Sequence, residues 1–421
     1  MAIRLSETDR QMLDGARGEA AAMAMTILSR MAEVTEAPEL MDITGAHIDG
    51  CGLLSEAGLE FAETLAGAGA EVVVPTTLNM GPLDLANWRA FGVDEAFAAR
   101  AIRQATAYES MGCVPTWTCA PYQGYLTPRF GQQIAWGESN AIVYANSVLG
   151  ARTNRYGDYI DICAAITGRV PKCGLHLKAN RAGQVLVRLA GLSAEDFAAE
   201  TFWPVLGHLI GRRVDDRIAV IEGLPDVVSE DEWKAFGAAA ASAGGIALFH
   251  AVGLTPEAPT REEAFQGREP AETIDLTPAD LDAARAEIVT AEPDAPLDLV
   301  VVGCPHLSFA EFRRLVRIVR DQGGRRVHEN VAFVAFTGRS SHALVKPTGW
   351  LDELAAFGIR VTLDTCVFHT PMVHPEAKVL MTNSGKCAYY APGELGVAVA
   401  LGSLADCVLS AVAGRVVREG D

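Results

Sequence analysis

Apolar and polar positions follow two patterns along the chain, short apolar runs and longer amphipathic stretches. The last third shows both clearly, with apolar runs at 297–303, 331–336 and 377–382 and a fourth that ends at Cys366. Capping signals mark the helix starts between them, such as Ser308 followed three residues later by Glu311. Strands that alternate with helices favour a parallel sheet with right-handed crossovers. We therefore predict an α/β fold with mostly parallel sheets.

The same alternation extends through the first two thirds of the chain. One helix is predicted to begin after Ser6, and an alanine-rich helix after the capping pair Ser229 and Glu232. Apolar segments at 39–50 and 70–80 each end in a loop that contains glycine or asparagine. Loops at strand ends often carry function, so these two are candidate ligand contacts.

One segment, at 255–273, is rich in proline and acidic residues and has no apolar period. It is predicted to be a surface linker or insertion. With this boundary and a length of 421 residues, we predict three α/β regions. They are residues 1–150, residues 151–290 ending in the linker, and residues 291–421.

Charge and hydropathy exclude several classes of protein. The net charge of -18 and the absence of a basic stripe argue against a nucleic-acid partner. The N-terminus carries acids and lacks the apolar core of a signal peptide, so a cytoplasmic location is predicted. The apolar stretch Ala235–Leu254 is split by Gly244 and Gly245 into a helix end and a strand. No membrane association is therefore predicted.

Two cysteines, Cys304 and Cys366, each follow a predicted strand, which is where parallel sheets bind ligands. The nine cysteines include no CxxC pair, so a metal site has to be assembled from distant segments. Cys119, in a loop rich in proline and glycine, is the best third ligand, and Cys113 is close enough in sequence to compete with it. Alternatively, each of these cysteines is a small buried hydrophobe.

Four other cysteines are not predicted to bind metal. Cys163 and Cys407 lie in apolar runs and are predicted to be in the core. Cys51 and Cys387 adjoin candidate loops and are predicted to line a pocket without binding metal. Three thiolates would leave one iron of an iron–sulfur cluster with an open position, and such an iron acts as a Lewis acid on a substrate hydroxyl. Hydro-lyase chemistry is the resulting hypothesis.

Two further segments are candidates for substrate and proton chemistry. Ser384 and Lys386 lie on a predicted tight turn, where a hydroxyl, amides and an ammonium group would converge on an anion. Alternatively, these two residues belong to an ordinary surface turn. Glu138, next to Ser139, lies among apolar residues, so it is predicted to be at least partly buried. Either it pairs structurally with Arg152 or Arg155, or it contacts substrate.

Together these segments resemble the large, catalytic part of the aconitase X family, which belongs to the aconitase superfamily of iron–sulfur dehydratases. The resemblance spans essentially the whole chain. It implies an aconitase-like fold of several α/β domains around a central cluster site. It rests on these segments: HIDGCG (47–52), TTLN (76–79), the long motif at 118–155, GCPHLS (303–308), DTC (364–366) and TNSGK (382–386).

The resemblance also implies roles for individual residues. The implied ligands of the iron–sulfur cluster are Cys119, Cys304 and Cys366, with the number of irons left open. The first region then carries one ligand, and the last region carries two ligands and the NSGK turn. The implied contacts of a small hydroxy-acid substrate are Gly50, Cys51, Gly52, Asn79, Met80, Glu138, Ser139 and Lys386.

Members of the family also have a small swivelling domain, fused in some and a separate subunit in others, which is thought to supply a serine base. No segment here matches that domain, so the resemblance implies a heterodimer with a small swivel-domain subunit. Family members dehydrate either cis-3-hydroxy-L-proline or mevalonate 5-phosphate.

Asp49 in the first loop would repel a phosphate and attract the secondary ammonium of hydroxyproline. We therefore predict dehydration of cis-3-hydroxy-L-proline to Δ1-pyrroline-2-carboxylate. The alternatives are the mevalonate 5-phosphate reaction, a non-catalytic iron–sulfur sensor and, last, a metal-free α/β hydrolase.

Overall fold

The computed structural model describes residues 3–371 and 376–418. In this part of the chain, strands form sheets of three, four and five members and one two-stranded pair. All neighbours in the three larger sheets run parallel. The predicted α/β fold with mostly parallel sheets is therefore confirmed.

The three-stranded sheet places β2 between β3 and β4. The predicted strand at 39–50 is in fact two short strands, of which β1 pairs with β5 in the antiparallel direction. The elements of this part are α1 (Glu7–Leu13), α2 (Glu19–Val34), β1 (Leu40–Asp42), β2 (Ala46–Ile48), α3 (Glu56–Gly67), β3 (Thr76–Leu78), α4 (Glu95–Ser110), β4 (Ala135–Trp136), α5 (Ser139–Val143), α6 (Ile160–Thr167) and β5 (Arg169–Pro171).

The four-stranded sheet has the order β8-β7-β6-β9. Ser229 and Glu232 form the predicted capping box at the start of α9, and Gly244 ends that helix. The acidic segment at 255–273 contains a short helix and enters edge strand β9, with Ala258 and Phe265 buried. The elements are β6 (Val185–Leu189), α7 (Ala194–Ala198), α8 (Phe202–Val214), β7 (Ala219–Glu222), α9 (Glu230–Ala243), β8 (Phe249–Ala251), α10 (Arg261–Ala264), β9 (Glu272–Leu276) and α11 (Pro278–Ile288).

The five-stranded sheet has the order β12-β11-β10-β13-β14. Strand β10 continues past its predicted end at Gly303, because Leu307 still pairs with Thr337 after an irregularity in the register. The elements are β10 (Leu299–Leu307), α12 (Phe309–Arg320), β11 (Ala332–Thr337), α13 (Arg339–Val345), α14 (Trp350–Phe357), β12 (Ile359–Leu363), β13 (Val379–Thr382), α15 (Gly385–Glu394), β14 (Ala398–Leu401) and α16 (Leu404–Ala413).

Helices cover both faces of this sheet, so its central strand is apolar from Leu299 to Val302. Leu299 and Val301 pack into one core, and Val300 and Val302 into another. Cys163 and Cys407 are fully buried, as predicted. No helix within the described part of the chain is long and apolar enough to cross a membrane. The division of the chain at residues 150 and 290 remains a prediction.

Candidate active site

A cavity of about 340 Å³ brings together side chains from distant parts of the sequence. Most of the sequence-predicted site residues meet here. Its lining consists of Asp49, Gly52, Leu54, Met80, Cys119, Glu138, Ser139, Asp158, Gly303, Cys304, Pro305, Cys366, Phe368, His369, Lys386, Tyr390 and Glu394.

The carboxyl ends of strands in two sheets supply much of this lining. In the three-stranded sheet, Asp49 follows β2, Met80 follows β3, and Glu138 follows β4. Parallel strands present their ligand groups in the crevice at this edge, which explains why segments far apart in sequence converge. The first sheet therefore contributes acids and the Met80 side chain to the cavity.

In the five-stranded sheet, the same edge carries Cys366 after β12 and Lys386 after β13, while Cys304 lies within β10. A hydrogen bond of 2.6 Å from the Gly81 amide to the Asp364 carbonyl joins this edge to the first sheet. Cys304, Cys366 and Lys386 therefore lie at one edge of the sheet, although Cys304 falls inside β10 rather than after it as predicted. The predicted NSGK turn is the start of helix α15, with Ser384 as its N-cap.

Three cysteines reach the cavity from separate segments. Cys119 and Cys366 are 6% and 8% exposed and pack against Met80, and Cys304 is half-buried. Cys113 does not line the cavity and packs instead in the core of the first sheet. Of the two competing loop cysteines, the structure brings only Cys119 to this cavity.

The three thiols differ in how readily they lose a proton. A hydrogen bond with Cys387 lowers the pKa of Cys304, and the positive charge of Lys386 acts in the same direction. Burial raises the pKa of Cys119 to about 12 and also raises the pKa of Cys366. Because thiolates are the form that binds metal, Cys304 is the thiol closest to that form, and Cys119 and Cys366 would have to release protons to bind a metal.

The donor set fits an iron–sulfur cluster, which is held by cysteine thiolates bonded to different irons. Cys119, Cys304 and Cys366 are such donors and line one cavity. Among residues 3–371 and 376–418, no group of three or more His, Cys, Asp or Glu side chains is arranged to hold a single metal ion. Ligands of a cluster need not converge on one point, since each binds its own iron.

Glu138 and Lys386, which both line the cavity, form a buried ion pair with 2.7 Å between Oε1 and Nζ. Burial alone would raise the pKa of Glu138, but the charge of Lys386 and its hydrogen bond outweigh burial and lower it. Burial alone would lower the pKa of Lys386, but Glu138 reverses that effect and raises it. Both groups are therefore charged, and the partner of Glu138 is Lys386 rather than Arg152 or Arg155.

The loop that carries Asp49 is fixed by buried acceptors. The Asp49 amide donates to Asp161 Oδ2 at 2.6 Å, and the Asn79 side-chain amide donates to the Asp49 carboxyl group. A Cβ atom on Gly137 would lie 2.6 Å from the Asp49 Cβ, so only glycine lets β4 approach this loop. Burial raises the pKa of Asp49, and the charges of Glu138 and Asp161 raise it further.

Asp161 makes folding stability depend on pH. Burial raises the pKa of its carboxyl group to about 7, from 3.8. The folded chain then holds a proton that the unfolded chain releases, so this contribution is complete below about pH 4 and is lost as the pH rises through about 7. We expect Asp161→Asn to flatten the fall in melting temperature between about pH 5 and about pH 8. Thermal denaturation across that range checks this, with exposed Asp226→Asn as the control, and an unchanged slope in Asp161→Asn would contradict it.

Four sequence-predicted residues lie outside the cavity lining. Ser384 donates to the Cys304 carbonyl, accepts from the Cys387 amide at 3.0 Å, and lines a neighbouring cavity instead. Gly50 is held by Gln104 and Tyr108, which donate to its carbonyl. The other two are Cys51, whose thiol donates to a backbone carbonyl, and Asn79, which bonds Asp49.

Sequence reasoning missed several lining residues, of which His369 stands out. Its Nδ1 is buried and has no hydrogen-bond partner among residues 3–371 and 376–418, and Gly52 makes room for the ring, since a Cβ there would lie 3.1 Å from Nδ1. Its position three residues after Cys366 was the available signal. Asp158, Tyr390 and Glu394 carry no local signal in the sequence.

Comparisons with known proteins agree with this geometry. Models of the aconitase X first, second and third domains match residues 2–179, 183–286 and 297–413. The chain is 45% identical over 418 residues to a cis-3-hydroxy-L-proline dehydratase of Hypocrea jecorina, covering 98% of this chain and 69% of that protein. The corresponding enzyme of Pseudomonas aeruginosa is also 45% identical, with 98% and 70% covered.

Two archaeal proteins are also similar. A phosphomevalonate dehydratase large subunit of Methanothermobacter thermautotrophicus is 36% identical over 400 residues, covering 94% of this chain and 95% of that subunit. The crystal structure of Thermococcus kodakaraensis aconitase X in its holo form superposes with a TM-score of 0.87 at 30% identity, covering 97% of this chain and all of that one. The predicted aconitase-like fold is thereby confirmed.

Proposed function

Because the chain belongs to the aconitase X family of dehydratases, we propose that it removes water from cis-3-hydroxy-L-proline and yields Δ1-pyrroline-2-carboxylate. One observation carries the proposal: a single cavity joins three cysteines to the charged pair of Glu138 and Lys386. This combination suits the removal of a hydroxyl group and of a proton next to a carboxylate.

Charge in the cavity favours hydroxyproline over a phosphorylated substrate. Asp49, Glu138, Asp158 and Glu394 line the cavity, and Lys386 is the one Lys or Arg side chain among the lining residues that the structure describes. A secondary ammonium group is attracted to the carboxylates of this lining and favours the ionised form of Asp49, whose pKa burial otherwise raises, whereas a phosphate with two negative charges is repelled. The relatives point the same way, at 45% identity to hydroxyproline dehydratases against 36% to a phosphomevalonate dehydratase large subunit.

Cys119, Cys304 and Cys366 are the residues that would hold an iron–sulfur cluster. When bound, the cluster supplies a Lewis acid that favours departure of the substrate hydroxyl. Lys386 binds the substrate carboxylate through Nζ and stabilises the negative charge that grows on it as the neighbouring proton leaves. The described contacts of Glu138 all involve Oε1, so Oε2 is available to accept an N–H of the ring ammonium.

A second subunit completes the proposed enzyme. The chain matches 95% of a relative named as a large subunit but 69% and 70% of the two hydroxyproline dehydratases. We propose that the unmatched part of those two enzymes corresponds to a small swivel-domain subunit. In the enzyme formed by this chain, that separate subunit carries the base that abstracts the proton. The purified chain alone is then expected to bind substrate without turning it over.

Substrate choice provides the experiment for this proposal. The chain, produced anaerobically with its small-subunit partner, is assayed for water loss from cis-3-hydroxy-L-proline and from mevalonate 5-phosphate. The proposal predicts turnover of the first compound. Turnover of mevalonate 5-phosphate alone would support the archaeal reaction instead, and a bound cluster without turnover of either compound would support a sensor.

Asp49 gives a second prediction. We expect Asp49→Asn to raise the KM for cis-3-hydroxy-L-proline about tenfold with a smaller effect on kcat, because a bound ammonium group favours the carboxylate form of Asp49 and asparagine cannot supply that charge. Steady-state kinetics of the assembled enzyme check this, and exposed Asp226→Asn is the control. An unchanged KM would exclude Asp49 as a partner of the ammonium group beside Glu138.

A further inference from the structure

His306 contacts all three cysteine-bearing segments through its backbone and its ring. It lies two residues after Cys304 in β10. Its amide donates to Cys119 Sγ at 3.3 Å. Its Nδ1 is 3.0 Å from Thr118 Oγ1, and its Nε2 is 2.9 Å from the Thr365 carbonyl oxygen. One residue therefore joins the strand of Cys304, the loop of Cys119 and the loop of Cys366.

We propose that His306 is a positioning residue that holds the loops of Cys119 and Cys366 in place against Cys304 for cluster assembly. The inference rests on the proposed function, because it assumes that these cysteines hold the cluster. The residue does not line the cavity, so its role is to orient other residues rather than to touch substrate. Partners outside the ligand set commonly orient ligands in metal sites, and their removal weakens metal binding about 10- to 100-fold.

The surroundings of His306 make the arrangement rigid. The residue is fully buried, and its carbonyl accepts a hydrogen bond of 3.2 Å from Lys234 Nζ. Lys234 in turn pairs with Glu311, which caps the helix after β10. A Cβ on Gly338 would lie 2.8 Å from Thr118 Oγ1, so glycine at that position leaves room for the Thr118 hydroxyl. The ring therefore has fixed partners on both nitrogens.

The alternative is that His306 is an ordinary buried histidine. His250 provides a matched control, because it is 2% exposed and its Nε2 lies 2.7 Å from the Arg181 carbonyl oxygen. That residue lies in β8 of the four-stranded sheet, away from the cysteines. A general loss of core packing would affect His306→Phe and His250→Phe alike.

The experiment compares wild type, His306→Phe, His306→Gln, Thr118→Val and His250→Phe as full chains. Each is reconstituted anaerobically with iron and sulfide, and the rate of iron loss to a chelator is followed by absorbance. We expect about 10- to 100-fold faster loss in His306→Phe, smaller increases in His306→Gln and Thr118→Val, and none in His250→Phe. Equal rates in His306→Phe and His250→Phe would overturn the proposal. If His306→Phe does not fold, wild-type rates in both His306→Gln and Thr118→Val would overturn it.

A second readout needs no cluster. In the reduced chain without iron, alkylation of Cys119 and Cys366 by iodoacetamide is timed by mass spectrometry. We expect both to react faster in His306→Phe than in wild type and His250→Phe, and equal rates would overturn the proposal. A wild-type chain that takes up no iron and sulfide would refute the proposed function, while the alkylation rates would still decide the role of His306.

Discussion

Cys366→Ser is expected to lose the iron–sulfur cluster and all measurable dehydratase activity. The Cys366 thiol follows β12 and lines the same cavity as Cys119 and Cys304. A serine hydroxyl is a poor ligand for iron beside thiolates, so the chain would retain two of the three proposed ligands. Iron and acid-labile sulfide per chain and turnover of cis-3-hydroxy-L-proline measure the effect.

Cys113→Ser is the matched control for that change. Cys113 is buried in the core of the first sheet, with 3% of its surface exposed, and it does not line the cavity. Placing a hydroxyl group there lowers the free energy of unfolding by about 1–3 kcal/mol but leaves the ligands in place. Loss of the cluster in Cys113→Ser with retention in Cys366→Ser would exclude this ligand set.

Lys386→Met is expected to lower kcat/KM about 100- to 1000-fold, because it removes a positively charged donor that stabilises a developing negative charge. It also leaves Glu138 buried without its cation, which lowers the free energy of unfolding by about 3 kcal/mol or more. Glu138 is only 4% exposed, so water does not replace the lost partner. Steady-state kinetics and chemical denaturation measure the two effects separately.

The double variant Lys386→Met with Glu138→Gln distinguishes catalysis from stability. With both charges removed, no unpaired carboxylate is buried at this position, so most of the stability lost in Lys386→Met should return. Activity should stay low, because the group that binds the substrate carboxylate is still missing. Recovery of activity together with stability would mean that Lys386 serves only to neutralise Glu138.

Local sequence signals were sufficient to bring two of the cysteines to one sheet edge, although β10 continues past its predicted end. Cys304 and Cys366 were placed at one sheet edge because each follows an apolar run, and the parallel sheet brings them there. The chain also shows its helix starts through capping boxes, such as the one at Ser308. These features depend on residues close together in sequence.

Contacts between distant segments were not predictable in the same way. Glu138 and Lys386 are 248 residues apart, and Thr118 and His306 are 188 residues apart. No local period encodes which side chains meet across two sheets, so Lys386 was missed as the partner of Glu138. Ser384 was assigned to the site from its neighbours in sequence, although its hydroxyl is occupied by the Cys304 carbonyl and the Cys387 amide.

The most direct test of the account is iron and sulfide analysis of the anaerobically assembled enzyme, followed by its activity on cis-3-hydroxy-L-proline. The account predicts iron and sulfide in the wild type together with formation of Δ1-pyrroline-2-carboxylate, and loss of both in Cys366→Ser. Turnover by a wild-type enzyme that contains no iron or sulfide would contradict it.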